Sequence, residues 1–203
     1  MKKLKAYANF LFEAGVLNRT QRAGFRHLGG WSQSVSEHLF RTAYIGYLLS
    51  HLEQEKGHKT DIKRVLENCL FHDLGEARAQ DLDYISQKYS QSDELQAIKD
   101  AVKGLSFGNR IIESFEETEG RSTKEGIIAK DADQPELLCS LKEIIDNGNM
   151  QAKDWINPLL KRLKTTSAND LAKVILKTNA NDWWFENKKD EYWVKGGKKL
   201  GNK

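Results

Sequence analysis

From Thr60 to Glu76 the apolar residues Ile62, Val65, Leu66 and Cys69 recur every three or four positions, and the same stripe ends in His72, Asp73 and Glu76. That spacing puts them all on one face of a helix, so titratable groups leave the core-facing side together. Thr60 or Asp61 supplies a cap for this helix. The rest of the chain follows the same period. It contains only two prolines, Pro135 and Pro158, and no alternating β-branched stretch stands out, so the fold class read from the pattern is all-α. Helices are expected over about residues 3–16, 34–56, 60–77, 92–105, 108–118, 122–133, 135–146, 150–163 and 168–179. Pro135 is expected to separate the sixth from the seventh.

Two further groups point inward. His38 shares a helical stripe with Val35, Ile45 and Leu49, on a helix that Ser34 or Ser36 can cap. Asp133 continues the spacing of Ala129, Leu137, Leu141 and Ile144. His38, His72, Asp73 and Asp133 thus reach the interior from three helices. Burying two carboxylates together costs several kcal/mol without a compensating cation. One divalent ion answers that cost, and two imidazoles with two carboxylates suit Mn, Fe, Co, Ni or Zn better than calcium. The five histidines do not provide a second site, because His27, His51 and His58 fall at loop or polar positions.

Composition narrows the partners. A chain of 203 residues with 39% hydrophobic and 30% charged residues is read as one domain over 1–203, with a core over about 11–180 and a basic tail over about 186–203. Net charge is only +3, which argues against nucleic acid as a partner. No apolar run approaches the roughly 18 residues of a membrane span. The N-terminal segment has a basic start but breaks its apolar stretch with Asn9 and Glu13, so it reads as an amphipathic helix of a cytoplasmic protein. Cys69 and Cys139 read as two buried thiols. The aromatic run Asp182 to Phe185 reads as an anchor of the C-terminal helix on the core in preference to a base-stacking platform, with Trp155 and Trp193 as further packing or partner contacts.

The segments SEHLFRTAYIG, FHDLGEARAQDL and IIAKDADQPELL resemble the HD-domain metal-dependent phosphohydrolases, whose ligands are one His, a His-Asp doublet and a distant Asp. The resemblance runs from about Leu11 to Leu138 and is closest to the bacterial 5′-deoxynucleotidases and small HD hydrolases. It implies an HD-domain helical bundle with His38, His72, Asp73 and Asp133 as metal ligands. The pattern Lys130, Asp131, Ala132, Asp133 selects Asp133 over Asp131. It also implies Glu76 as general acid/base and Asp81 as a residue at the sugar and leaving group. An Arg of the segment NRTQRAGF would bind the 5′-phosphate, and both Arg19 and Arg22 are candidates. Arg22 matches the family's Arg-x-Gly-aromatic form through Ala23, Gly24 and Phe25. In the best-known deoxynucleotidases an aromatic residue follows that Arg, whereas Thr20 follows Arg19 here.

The activity implied is release of phosphate from (deoxy)nucleoside 5′-monophosphates by attack of metal-activated water. The competing readings are hydrolysis of another nucleotide such as a triphosphate or alarmone, an HD-fold oxygenase, or a non-catalytic metal-binding helical module. The intact Glu76 argues against the last of these. Relatives are commonly dimers, so a homodimer is compatible with the family.

Overall fold

The computed structural model describes residues 1–185 and 189–194. Its order is α1 (Lys2–Ala14), α2 (Val35–Glu55), α3 (Ile62–Phe71), α4 (Glu76–Ala79), α5 (Glu94–Ala101), α6 (Gly108–Gly120), α7 (Lys124–Asp146), α8 (Ile156–Leu160), α9 (Thr166–Lys177), α10 (Asp182–Phe185) and α11 (Glu191–Val194). Short 3-10 turns at Gly15–Asn18, Ala23–Leu28, Ser86–Lys88 and Met150–Trp155 join them. No strand occurs among the described residues, and extended pairing is confined to one bridge between Gln21 and Ser34. None of the helices is long and apolar enough to cross a membrane. The basic tail over 186–203 lies largely outside the described residues.

Helices α2, α3 and α7 pack on one another and form the centre. Side chains are buried in two apolar clusters. The first gathers Ile45, Leu49, Val65, Cys69, Ile128, Leu138 and Leu141. The second gathers Leu17, Val35, Leu39, Leu74, Ile98, Val102 and Ile111. Each such Leu, Ile or Val contributes about 1.5–3 kcal/mol on burial. His38 follows Val35 and precedes Ile45 on α2, and His72 stands between Cys69 and Leu74, so both imidazoles sit where the clusters meet. Gly46 permits the approach of α2 to α3, because a Cβ there would lie 2.5 Å from Cys69 Sγ and 3.2 Å from Val65 Cγ1. Gly46→Ala is expected to destabilise the protein by about 1–3 kcal/mol through overpacking, read as a lowered midpoint in thermal unfolding followed by circular dichroism.

Three boundaries differ from the sequence reading, and in the first the segment expected as one helix over 150–163 is a 3-10 turn at Met150–Trp155 followed by the short α8. The helix expected over 60–77 stops at Phe71, and its residues 72–75 form a turn with i to i−3 bonds, Leu74 N–H to Phe71 O at 3.2 Å and Glu76 N–H to Asp73 O at 3.1 Å. The break expected at Pro135 is absent. Helix α7 runs unbroken from Lys124 to Asp146 with Pro135 buried inside it, so packing on α2, α3, α6 and α9 outweighs the roughly 3 kcal/mol that an interior proline costs. The aromatic run also departs from expectation. Trp183 and Trp184 of α10 and Trp193 of α11 are exposed. Trp184 and Trp193 cluster with Phe185 and each other rather than entering the core. Trp155 does pack inward, stacked on Phe25. Cys69 is buried, Cys139 is only partly so, and both are free thiols.

Candidate metal centre

Helix α2 begins with a capping box. Glu37 N–H donates to Ser34 Oγ at 3.2 Å, and Ser34 N–H donates to Glu37 Oε2 at 2.6 Å. This fixed first turn carries His38, which is fully buried. Asp61 caps α3 through the Arg64 N–H, and His72 closes that helix with 1% of its surface exposed. Thr123 caps α7, which delivers Asp133. The turn at 72–75 has a chemical consequence. On a regular helix consecutive side chains diverge by about 100°, whereas here Asp73 returns to face His72.

One ligand atom from each of His38, His72 and Asp133 lies within 4.8 Å of the other two. The separations are 3.4 Å between the two Nε2 atoms and 3.3 Å from His38 Nε2 to Asp133 Oδ1. Asp73 completes the group, with Oδ1 3.4 Å from His72 Nε2 and Oδ2 3.5 Å from His38 Nε2. Tautomers follow from the outer nitrogens. His72 Nδ1 lies 3.0 Å from the Cys69 carbonyl, which can only accept, so that nitrogen carries a hydrogen. His38 Nδ1 lies 2.5 Å from Glu136 Oε2 and is likewise the donor. Two neutral imidazoles would therefore turn lone pairs toward each other and toward two carboxylates. Such a set fits a cation.

The charge balance agrees. Burial lowers the His72 pKa, against the pull of Asp73 and Asp133. Burial and Arg22 oppose the charged form of His38, yet Asp133 and Glu136 outweigh them and raise its pKa to about 9. Without a metal, the imidazolium of His38 is the positive charge these carboxylates demand. Burial raises the pKa values of Asp73 and Asp133, but His72, His38 and Arg22 hold Asp73 low, and His38 and Lys130 hold Asp133 well below the usual carboxylate range.

Around this cluster stand the other candidates. Glu76 opens α4, is 8% exposed, and has Oε2 buried without a hydrogen-bond partner among the described residues. Burial pushes its pKa up to about 10, Asp73 and Asp81 add to the rise, and Arg22 opposes it. Arg22 Nη1 donates to Asp73 Oδ2 at 3.3 Å, and its Nε lies 3.7 Å from Asp81 Oδ2. The loop bearing Arg22 is pinned at both ends, by Arg22 N–H to Gln33 O and Val35 N–H to Thr20 O. Asp81 also accepts the Ala23 N–H at 3.1 Å, so it holds the Arg22 segment. Arg19 is exposed and outside this cluster. Asp131 is engaged elsewhere: its carboxylate accepts from Lys164 N–H, Thr165 N–H, Thr165 Oγ1 and Arg121.

The HD-domain pattern matches residues 14–175, about four fifths of the sequence. The chain belongs to the HD-domain family. Its relative 5′-deoxynucleotidase HDDC2 of Dictyostelium discoideum is 30% identical in an alignment of 145 residues that covers 68% of this chain and 76% of that protein. Among solved structures, a conserved hypothetical protein of Pyrococcus furiosus superposes with a TM-score of 0.71 at 27% identity, over 84% of this chain and 99% of that one. An HD-domain phosphohydrolase of Listeria innocua shares the fold, with a TM-score of 0.62 at 18% identity over 87% of this chain and 92% of its own. This HD-domain protein is a hydrolase, and its family implies a divalent metal. Glu136, Gln33 and Arg41 around the site were not singled out by the sequence reading, and Lys130 entered it only as part of the pattern that selects Asp133. For Glu136 the only signal there was helical register, three residues after Asp133.

Proposed function

We propose that this HD-domain hydrolase releases inorganic phosphate from (deoxy)nucleoside 5′-monophosphates, with His38, His72, Asp73 and Asp133 holding one divalent ion. The observation that carries the proposal is the convergence of two imidazoles and two carboxylates beside a buried Glu76 and a pinned Arg22. An ion bound there would lower the pKa of a water and polarise a phosphoryl oxygen.

The remaining chemistry belongs to the side chains. Glu76, kept protonated by burial, is placed to give a proton to the departing ribose oxygen. Arg22 is the phosphate ligand in this proposal, since its guanidinium lies beside Asp73 whereas Arg19 faces solvent. Asp81 holds the Arg22 loop through Ala23, so its part is to aim that cation. Neither Arg is followed by an aromatic residue, Thr20 and Ala23 standing in those places, and the proposal therefore extends to ribose as well as deoxyribose.

The test is phosphate release from a panel of nucleoside mono- and triphosphates with Mn, Co or Zn added. Monophosphates are expected to be hydrolysed, and release from triphosphates alone would overturn the substrate assignment. Arg22→Gln is expected to lower kcat/KM by about 10- to 100-fold, the worth of one or two charge-assisted hydrogen bonds. Arg19→Gln is expected to leave it unchanged. The opposite ranking would move the phosphate contact to Arg19.

A further inference from the structure

His38 and His72 are held by different acceptors. His72 Nδ1 meets a neutral backbone carbonyl, whereas His38 Nδ1 meets a carboxylate that is itself completely buried. One oxygen of that carboxylate is already engaged. Glu136 Oε1 accepts from Gln33 Nε2 at 2.8 Å, from Arg41 Nε at 2.9 Å and weakly from Ser140 Oγ at 3.5 Å. Oε2 is left to His38, at 2.5 Å. Arg41 is fixed in turn by Glu143 Oε1 at 2.5 Å and by Ser140. A buried carboxylate without a cation would protonate and release the imidazole. Arg41 is that cation, its guanidinium bonded to the other oxygen of the same carboxylate.

We infer that Glu136 is a positioning residue that locks His38 as the Nδ1–H tautomer and makes its Nε2 the stronger of the two imidazole donors to the ion, with Arg41 and Gln33 holding Glu136 in turn. The inference rests on the metal-site reading above. Carboxylates behind metal-bound imidazoles fix ring orientation and raise ligand basicity, and losing one lowers metal affinity by about 10- to 100-fold. A merely structural Glu136, tying α2 to α7, would affect stability alone.

Two measurements test it. In the zinc-loaded wild type, long-range ¹H–¹⁵N NMR of the imidazoles is expected to show His38 as Nδ1–H with a strongly downfield proton. Glu136→Gln is expected to bind Co(II) about 10- to 100-fold more weakly in chelator competition, while Glu143→Gln, which touches Arg41 but not His38, retains wild-type affinity. An Nε2–H tautomer at His38, or wild-type Co(II) affinity in a folded Glu136→Gln, would overturn the inference. Should Glu136→Gln fail to fold, the tautomer in the wild type decides. Failure of the wild type to take up zinc or Co(II) stoichiometrically would instead overturn the metal-site reading itself.

Discussion

Asp133→Asn is expected to give a folded protein that retains no stoichiometric divalent ion and releases phosphate at the background rate. The carboxylate faces His38 Nε2 at 3.3 Å and belongs to the cluster that could share one ion. An amide in its place brings no charge and a weaker donor atom. Because a catalytic ion supplies several kcal/mol of transition-state stabilisation, activity should fall by at least about 10³-fold. Asp131→Asn, two residues away, is expected to do the reverse. Its carboxylate is fully buried and accepts from Lys164 and Thr165 just before α9 and from Arg121 at the end of α6. An amide there turns one acceptor into a donor facing N–H groups, at a cost of about 2–4 kcal/mol. For a chain of this size that lowers Tm by roughly 5–15 °C. Plasma emission analysis of bound metal, thermal unfolding and phosphate release separate the two. Metal and activity kept in Asp133→Asn, or metal lost in a fully stable Asp131→Asn, would remove Asp133 from the site.

The contrast between these neighbours marks how far the sequence could be read. Asp133 was legible because it continued an apolar stripe, and His38 and His72 were legible for the same reason. The end of α3 at Phe71 was not. Leu74, Glu76 and Ala77 all favour helix, so nothing local announces the turn; it is compatible with α5 packing so closely that a Cβ on Gly75 would lie 2.9 Å from the Glu94 carbonyl oxygen. Pro135 misled in the opposite sense, since propensity was outweighed by a packed helix on every side. Glu136 was invisible for a third reason. In a helix rich in charge, a glutamate three residues from an aspartate looks solvated, and only its burial and the 2.5 Å contact with His38 reveal it. The tryptophans of α10 show that apolar character alone does not place a side chain in the core.

Glu76→Gln is expected to lower kcat by about 10²- to 10⁴-fold with metal content unchanged, the usual worth of a positioned proton donor. Glutamine reproduces the shape of a protonated glutamic acid but has no transferable proton. The same substitution carries a second signature, in the stability of the metal-free protein. An unfolded Glu ionises near about 4.3, whereas burial, with Asp73 and Asp81, pushes Glu76 up to about 10 in the folded state. Between those values the folded protein binds more protons than the unfolded chain. Its stability therefore falls as pH rises through that window. Glutamine has no proton to lose, so the stability advantage of Glu76→Gln over wild type should widen from pH 5 to pH 9 in the presence of a chelator. Denaturant unfolding across that range measures it. Parallel pH profiles for the two proteins would mean that Glu76 is ionised in the fold, and full activity in the variant would place the proton donor elsewhere.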